Sequence, residues 1–230
     1  MSAPTSTALD EDIRKLVLDT FLERGIPPLA EQIAQRFNIS LAVSEETLDR
    51  LDAAHHLKLV PGTHRILMAF PFSAIATPYR VVLTNGREYF ANCAWDAVAF
   101  HVMLNAPIRV ESYCHHCTRA VQFDLKEYGP SSSSHDLPVI YLGLPAADWW
   151  KDIVRTCGST MLLFGSTAHL EEWRREHPEE SGQEVSLVTM VKLSEPLYRT
   201  KMERGFVRPS RDELVALFDS LDLRGPFWQV

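Results

Sequence analysis

The chain has no long hydrophobic run: nothing in its 230 residues approaches the roughly 18 consecutive apolar positions that a membrane-spanning helix needs. It also has no excess of basic charge. Its 23 Lys and Arg stand against 30 Asp and Glu, a net of −7, which disfavours non-specific attraction to nucleic acid or an anionic membrane. The opening Met1-Ser2-Ala3-Pro4-Thr5-Ser6-Thr7 lacks the basic-then-apolar pattern of a secretory signal, and no internal repeat is visible. These absences lead to the expectation of a soluble cytoplasmic protein. Cysteine is scarce, at four (positions 93, 114, 117 and 157), and in that compartment the thiols are reduced by default. The chain is 46% hydrophobic, enough for the core of one domain or two small ones.

Residues 1–70 read as a unit of their own. Apolar positions 13, 16, 17, 18, 21 and 22 predict a helix from Asp10 to Arg24, closed by Gly25. A second helix covers about Leu29 to Phe37. A third is expected to start at Ser44 as N-cap, with Glu45 and Glu46 in its first turn, and to run to about His55. Leu57 to Phe70, interrupted by Pro61-Gly62, reads as a β-hairpin. Three helices and a hairpin outline a winged helix, but the third helix carries Glu45, Glu46, Asp49 and Asp52 against Arg50 and would repel phosphate. The region is therefore expected to pack on the rest of the chain rather than to hold DNA. The apolar connection Phe70–Pro78 is expected to lie between the two parts.

The remainder, 71–230, is organised around Tyr89 to Phe100. Val81, Leu83, Tyr89 and Phe90 flank an Asn85-Gly86 pair, the signature of a hairpin turn. Ala94 to Leu104 contains no Gly or Pro and predicts a helix ending at Asn105, two residues before Pro107. Asn92 sits where the N-cap belongs, making Cys93 the first helical residue. There the helix dipole and unpaired N–H groups favour a thiolate. Asp96, one turn on, is placed to take a thiol proton and pass it on. The bland alternative is that Cys93 is a small buried hydrophobe.

Strands are expected at Ile108–Tyr113, Ala120–Leu125, Leu137–Leu144, Met161–Phe164 and Val185–Leu193. A short helix from Pro145 carries Trp149 and Trp150, and a helix capped by Ser166 carries His169 and Trp173 and stops at Pro178. Two helices close the chain, the second opening on the capping box Ser210–Glu213. Glu127 to Asp136, with four serines, reads as a mobile surface loop, and the pairs His55-His56 and His135-Asp136 as solvated. The fold class is α+β: a winged-helix-like N-terminal region on a mixed, partly antiparallel sheet with helices. Cys114-His115-His116-Cys117 is half a zinc site, and a structural site wants four ligands. No second Cys-x-x-Cys or His-x₃-His exists, so a bound metal, a disulfide and a reduced pair all stand open, the last favoured.

Cys93-Ala94-Trp95-Asp96 at a strand-to-helix junction, a cysteine in the following strand pair (Cys114), and a last cysteine (Cys157) before a Phe-x-Ser and a Trp-bearing helix resemble the organomercurial (alkylmercury) lyase family. The resemblance covers about residues 10–195. It implies that Cys93 and Cys157 are the two catalytic, mercury-binding cysteines, that Asp96 is the catalytic aspartate, and that Cys114 is structural. The implied activity is protonolytic cleavage of a carbon–mercury bond in the service of mercury resistance, with no cofactor and Hg²⁺ bound as product. The implied partners are a small organomercurial and, as acceptor of the metal, small thiols or a mercury-reducing enzyme, with no nucleic acid and no membrane. Soft mercury prefers thiolates, and the carbon must leave protonated. Trp95, Phe100, Trp149 and Trp150 are candidates for an apolar pocket, core packing claiming at least half of them. The chain departs from the family in the stretch after Cys157, which is one residue longer and lacks a histidine and a second cysteine, and in having Cys117. A relative with another thiol- or metal-dependent activity, or a non-enzymatic metal-binding or regulatory protein, are the alternatives.

Overall fold

A computed structural model describes residues 7–126, 129–130 and 137–230. The expected surface loop, Gly129 and Pro130 apart, and the pair His135-Asp136 lie outside the described residues. Helix α1 (Ala8–Arg24) opens on a capping box between Thr7 and Asp10 and closes on Gly25, whose φ of 75° suits glycine. Helices α2 (Ala30–Phe37) and α3 (Leu41–Ala53) follow. The N-cap of α3 is Ser40, not Ser44. Ser44 lies inside the helix, fully buried, and its hydroxyl donates to the Ala30 carbonyl at 2.9 Å, tying α3 to α2. The expected hairpin is a three-stranded antiparallel sheet, β1 (Lys58–Leu59), β2 (Ile66–Ala69) and β3 (Phe72–Ser73).

The second part holds two further sheets. Strands β4 (Arg80–Leu83) and β5 (Glu88–Phe90) form the Asn85-Gly86 hairpin, with Gly86 at φ 81°. With β6 (Ile108–Tyr113), β7 (Ala120–Lys126) and β8 (Gly129–Pro130) they make a five-stranded sheet in the order β5-β4-β6-β7-β8. Strands β9 (Val139–Leu142), β10 (Met161–Phe164) and β11 (Gln183–Ser186) form another, ordered β10-β9-β11. Every strand pairing among the described residues is antiparallel. Between the sheets runs α4 (Ala94–Leu104), ending where its composition predicts and starting one residue later than expected, and Asn105 closes it in the left-handed region. Ten of its eleven residues are buried, as in a helix enclosed on all sides.

One expected strand is mostly helix. Only Val185 and Ser186 of 185–193 belong to β11; Leu187–Tyr198 is α7, capped by Ser186. The β-branched residues there imitate a strand, but the buried positions Leu187, Met190, Leu193 and Ser194 have helical spacing. Helices α6 (Thr167–Glu176, capped by Ser166) and α8 (Arg211–Ser220, with the Ser210–Glu213 capping box) match their sequence signals. No described helix is long and apolar enough to cross a membrane.

One hydrophobic cluster runs from Ile13 through α4 to Trp228, so the N-terminal helices share the core of the rest. Phe72 is its hinge: its ring stacks on Phe21 of α1 at 5.1 Å and meets Tyr89 and Phe100 edge-on at 5.3 and 4.7 Å. The Phe70–Pro78 connection thus begins packed between the two parts, as its apolar character predicts, with Phe70 and Phe72 buried.

Candidate active site

Strand β5 delivers the chain to α4, and the junction sets the chemistry. Cys93, not Asn92, is the N-cap of α4, and its own sulfur accepts the Asp96 N–H at 3.4 Å. Asp96 is thereby the third helical residue, and its side chain folds back over the cap. Its Oδ2 lies 3.6 Å from the Cys93 sulfur and accepts from the Asn92 amide at 3.1 Å, while Oδ1 accepts from the Tyr198 hydroxyl at 2.7 Å.

Cys157 arrives from the other side. A three-residue helix, α5 (Ile153–Arg155), runs into a wide π-helical turn at Thr156–Thr160, and the Cys157 sulfur stands 3.9 Å from Asp96 Oδ2. Such turns recur at functional sites. The ligand atoms of Cys93, Asp96 and Cys157 all lie within 4.8 Å of one another, and all three residues are buried. Two metal–sulfur bonds of about 2.3 Å, the zinc value, span about 4.6 Å, so one soft ion fits between the thiols.

Burial governs the electrostatics. It pushes the Cys93 thiol well above its ordinary range, and this outweighs the cap N–H that favours a thiolate. Desolvation thus works against the thiolate that the helix N-terminus favours. At Cys157 the hydrogen bond with Cys93 lowers the thiol, but burial and the Asp96 charge together leave it raised. Burial also lifts the Asp96 carboxyl to about 6, against the hydrogen bonds from Tyr198 and Asn92 that lower it.

A cavity of about 80 Å³ opens beside the three groups. Since a water needs about 10–15 Å³ on such a measure, the space accepts a small organic group. Trp95, Trp149 and Trp150 line it, while Phe100 packs in the core between Phe72 and Tyr89. His55 and Phe70 bring the N-terminal region to the cavity. The reading of His55-His56 as solvated holds for His55, which is exposed, and needs correction for His56, which is half-buried. The His55 ring lies against Trp150, at 4.4 Å, while burial pushes His56 down to about 3.

Of four further residues near the centre, Met161, Tyr198 and Lys201 carried no readable signal in the sequence, and Asn92 signalled only a helix cap. Met161, the first residue of β10, places its thioether sulfur 3.6 Å from the Cys93 sulfur. Asn92 and Tyr198 hold the carboxyl. Lys201 lies buried with its ammonium 5.1 to 5.7 Å from the ring centres of Phe70, Tyr198 and Phe206, and burial lowers it to about 7. Tyr198 ends the helix misread as strand, which hid its direction. Away from the centre, Cys114 and Cys117 are free thiols, and they meet His169 of α6.

Two buried thiols and a carboxyl thus stand together beside an apolar cavity, an arrangement able to hold a soft metal ion. The model of the MerB alkylmercury lyase family matches residues 72–199, more than half of the sequence, and the chain belongs to that family. An alkylmercury lyase of Staphylococcus epidermidis is 21% identical over 115 residues, 50% of this chain and 52% of that protein. The match thus spans about half the length of that relative. The crystal structure of the mercury-bound form of MerB2 superposes with a TM-score of 0.68 at 18% identity, over 86% of this chain and 93% of that one, which establishes a shared fold.

Proposed function

We propose that this chain is an organomercurial lyase in which Cys93 and Cys157 bind mercury and Asp96 moves the proton. The observation that carries the reading is the convergence of two buried sulfurs and one carboxylate within 4.8 Å beside an apolar cavity. The organic group of R–Hg⁺ enters between the tryptophans, and the soft metal meets the thiols. Above about pH 6 the Asp96 carboxylate takes the proton of the first thiol as its sulfur bonds to mercury. The second thiol releases its proton to solvent as its sulfur bonds. Two thiolate donors raise the electron density on mercury and weaken its bond to carbon. Asp96 then gives its proton to the carbon, the pair of electrons of the carbon–mercury bond becomes the new C–H bond, and RH departs. The balance is R–Hg⁺ plus two thiols giving RH, a mercury bis-thiolate and one proton.

The neutral resting state of the buried thiols fits this scheme, because the proton destined for carbon is stored in the site until mercury displaces it. Small thiols or a mercury-reducing partner take the metal away, in a cytoplasmic mercury-resistance role. Residues 1–70 serve as a winged-helix-like region that closes the cavity through His55 and Phe70, and residues 71–230 form the catalytic part. The cavity favours an enzyme over a metal-storing or regulatory protein, since storage needs no room for an organic group. Incubation with a phenyl- or alkylmercury and excess small thiol, followed by gas chromatography, tests the reading. The expected product is the hydrocarbon, with one deuterium when the reaction runs in D₂O; absence of hydrocarbon overturns it.

A further inference from the structure

The turn between β6 and β7 carries Cys114 and Cys117, and the start of α6 brings His169 to them from more than fifty residues away. His169 Nδ1 lies 3.4 Å from the Cys114 sulfur and 3.7 Å from the Cys117 sulfur, and all three ligand atoms fall within 4.8 Å of one another. A tetrahedral ion with bonds of about 2.3 Å to sulfur and about 2.0–2.1 Å to nitrogen holds such ligands about 3.5 Å apart. The two observed separations bracket that value.

The surrounding backbone is built for the approach. The Cys114 N–H donates to the Arg119 carbonyl and the Thr118 N–H to the Cys114 carbonyl, both at 2.9 Å, with Thr118 in the left-handed region at φ 58°. This tight turn presents both sulfurs of the Cys-x-x-Cys together. On the other side, the His169 N–H caps on Ser166 at 3.3 Å, and a Cβ at Gly165 would come within 3.2 Å of His169 Nδ1. Glycine there leaves the imidazole its place. Beneath the cluster lies a small second core, including Cys114, Tyr141, Phe164 and Trp173, separate from the main one.

We propose that Cys114, Cys117 and His169 form a second metal site, for a zinc-class divalent ion, which pins the β6–β7 turn to α6 and has a stabilising role distinct from the Cys93–Cys157 centre. Water completes the coordination, since no fourth His, Cys, Asp or Glu among the described residues joins the three. The inference stands on this cluster alone and is independent of the proposed lyase activity.

The test uses the full chain carrying Cys93→Ser and Cys157→Ser, so that every remaining thiolate–metal signal comes from Cys114 and Cys117. Co²⁺, the spectroscopic stand-in for zinc, is titrated into the reduced, metal-free protein. The expected result is one equivalent bound with a thiolate-to-cobalt charge-transfer band that Zn²⁺ displaces. Adding Cys117→Ser or His169→Gln should weaken Co²⁺ binding at least about 10-fold, since even loss of an outer-shell partner typically costs about 10–100-fold. Zn²⁺ should also raise the Tm of the Cys93→Ser/Cys157→Ser chain, a chelator should reverse the rise, and the Cys117→Ser form should not respond. This thermal shift decides the matter even where a ligand variant folds poorly. No charge-transfer band, or a band and a Tm rise that survive Cys117→Ser, overturns the proposal.

Discussion

Asp96 hangs between a tyrosine hydroxyl, an amide and two sulfurs, and in the proposed mechanism its acidity sets when the site can act. Its carboxyl titrates near 6 in the fold and near 3.8 unfolded, so between those values the folded chain holds the extra proton. Stability from this group is therefore lost as pH rises through that window, while the capacity to accept a thiol proton is gained. The rate of mercury capture, followed by stopped-flow loss of free thiol, should fall as pH drops through about 6. A rate flat from pH 5 to 8 would separate Asp96 from the thiol protons. The Tyr198 hydroxyl, bonded at 2.7 Å, favours the charged carboxylate, so Tyr198→Phe should shift that acid limb to higher pH. An unmoved limb would mean that the hydroxyl has no electrostatic part.

At the scale of elements, α4 is where sequence and structure agree best and where the local detail still differs. A Gly- and Pro-free apolar segment ending before Pro107 fixes the C-terminal end of the helix. The cap is a subtler matter, because Asn92 is the better cap by propensity and Cys93 is the residue whose sulfur accepts the Asp96 N–H. Serine caps better than cysteine. Cys93→Ser should therefore keep the Tm within a few degrees while abolishing turnover, because a hydroxyl does not hold mercury. A loss of more than about 2 kcal/mol in urea unfolding would make Cys93 a packing residue first. Cys157 was legible only through the family pattern, since nothing in Arg155–Thr160 announces a π-helical turn. His169 was not legible as a partner of Cys114: sequence places it on a helix, and only the packing of α6 against the β6–β7 turn joins them. The strand expected at 185–193 failed because β-branched residues mask the helical spacing of Leu187, Met190 and Leu193.

In the whole molecule, the N-terminal helices share the core of the rest, as expected of a region that packs, and the manner of packing lies in long-range contacts. The buried Arg14 of α1 donates to the Lys201 and Glu203 carbonyls, both at 2.5 Å, and Arg208 donates to the His55 carbonyl at 3.1 Å. The N-terminal region thus clamps the segment that carries Lys201 and Tyr198 to the cavity. Arg14→Met keeps the bulk and leaves two carbonyls without their donor, which costs about 1–3 kcal/mol each when the groups stay dry. Urea unfolding should show a lower midpoint, with reduced cleavage; an unchanged midpoint would mean that the clamp is redundant. The account as a whole rests on the separation of metal binding from proton delivery. Asp96→Asn keeps the shape and both thiols, so Hg²⁺ affinity by competition titration should stay close to that of the unaltered chain. Hydrocarbon release should fall by about 10²–10⁴-fold, the contribution typical of a general acid–base group. Cleavage at the original rate, with Hg²⁺ bound as tightly, would contradict the assignment of the proton to Asp96.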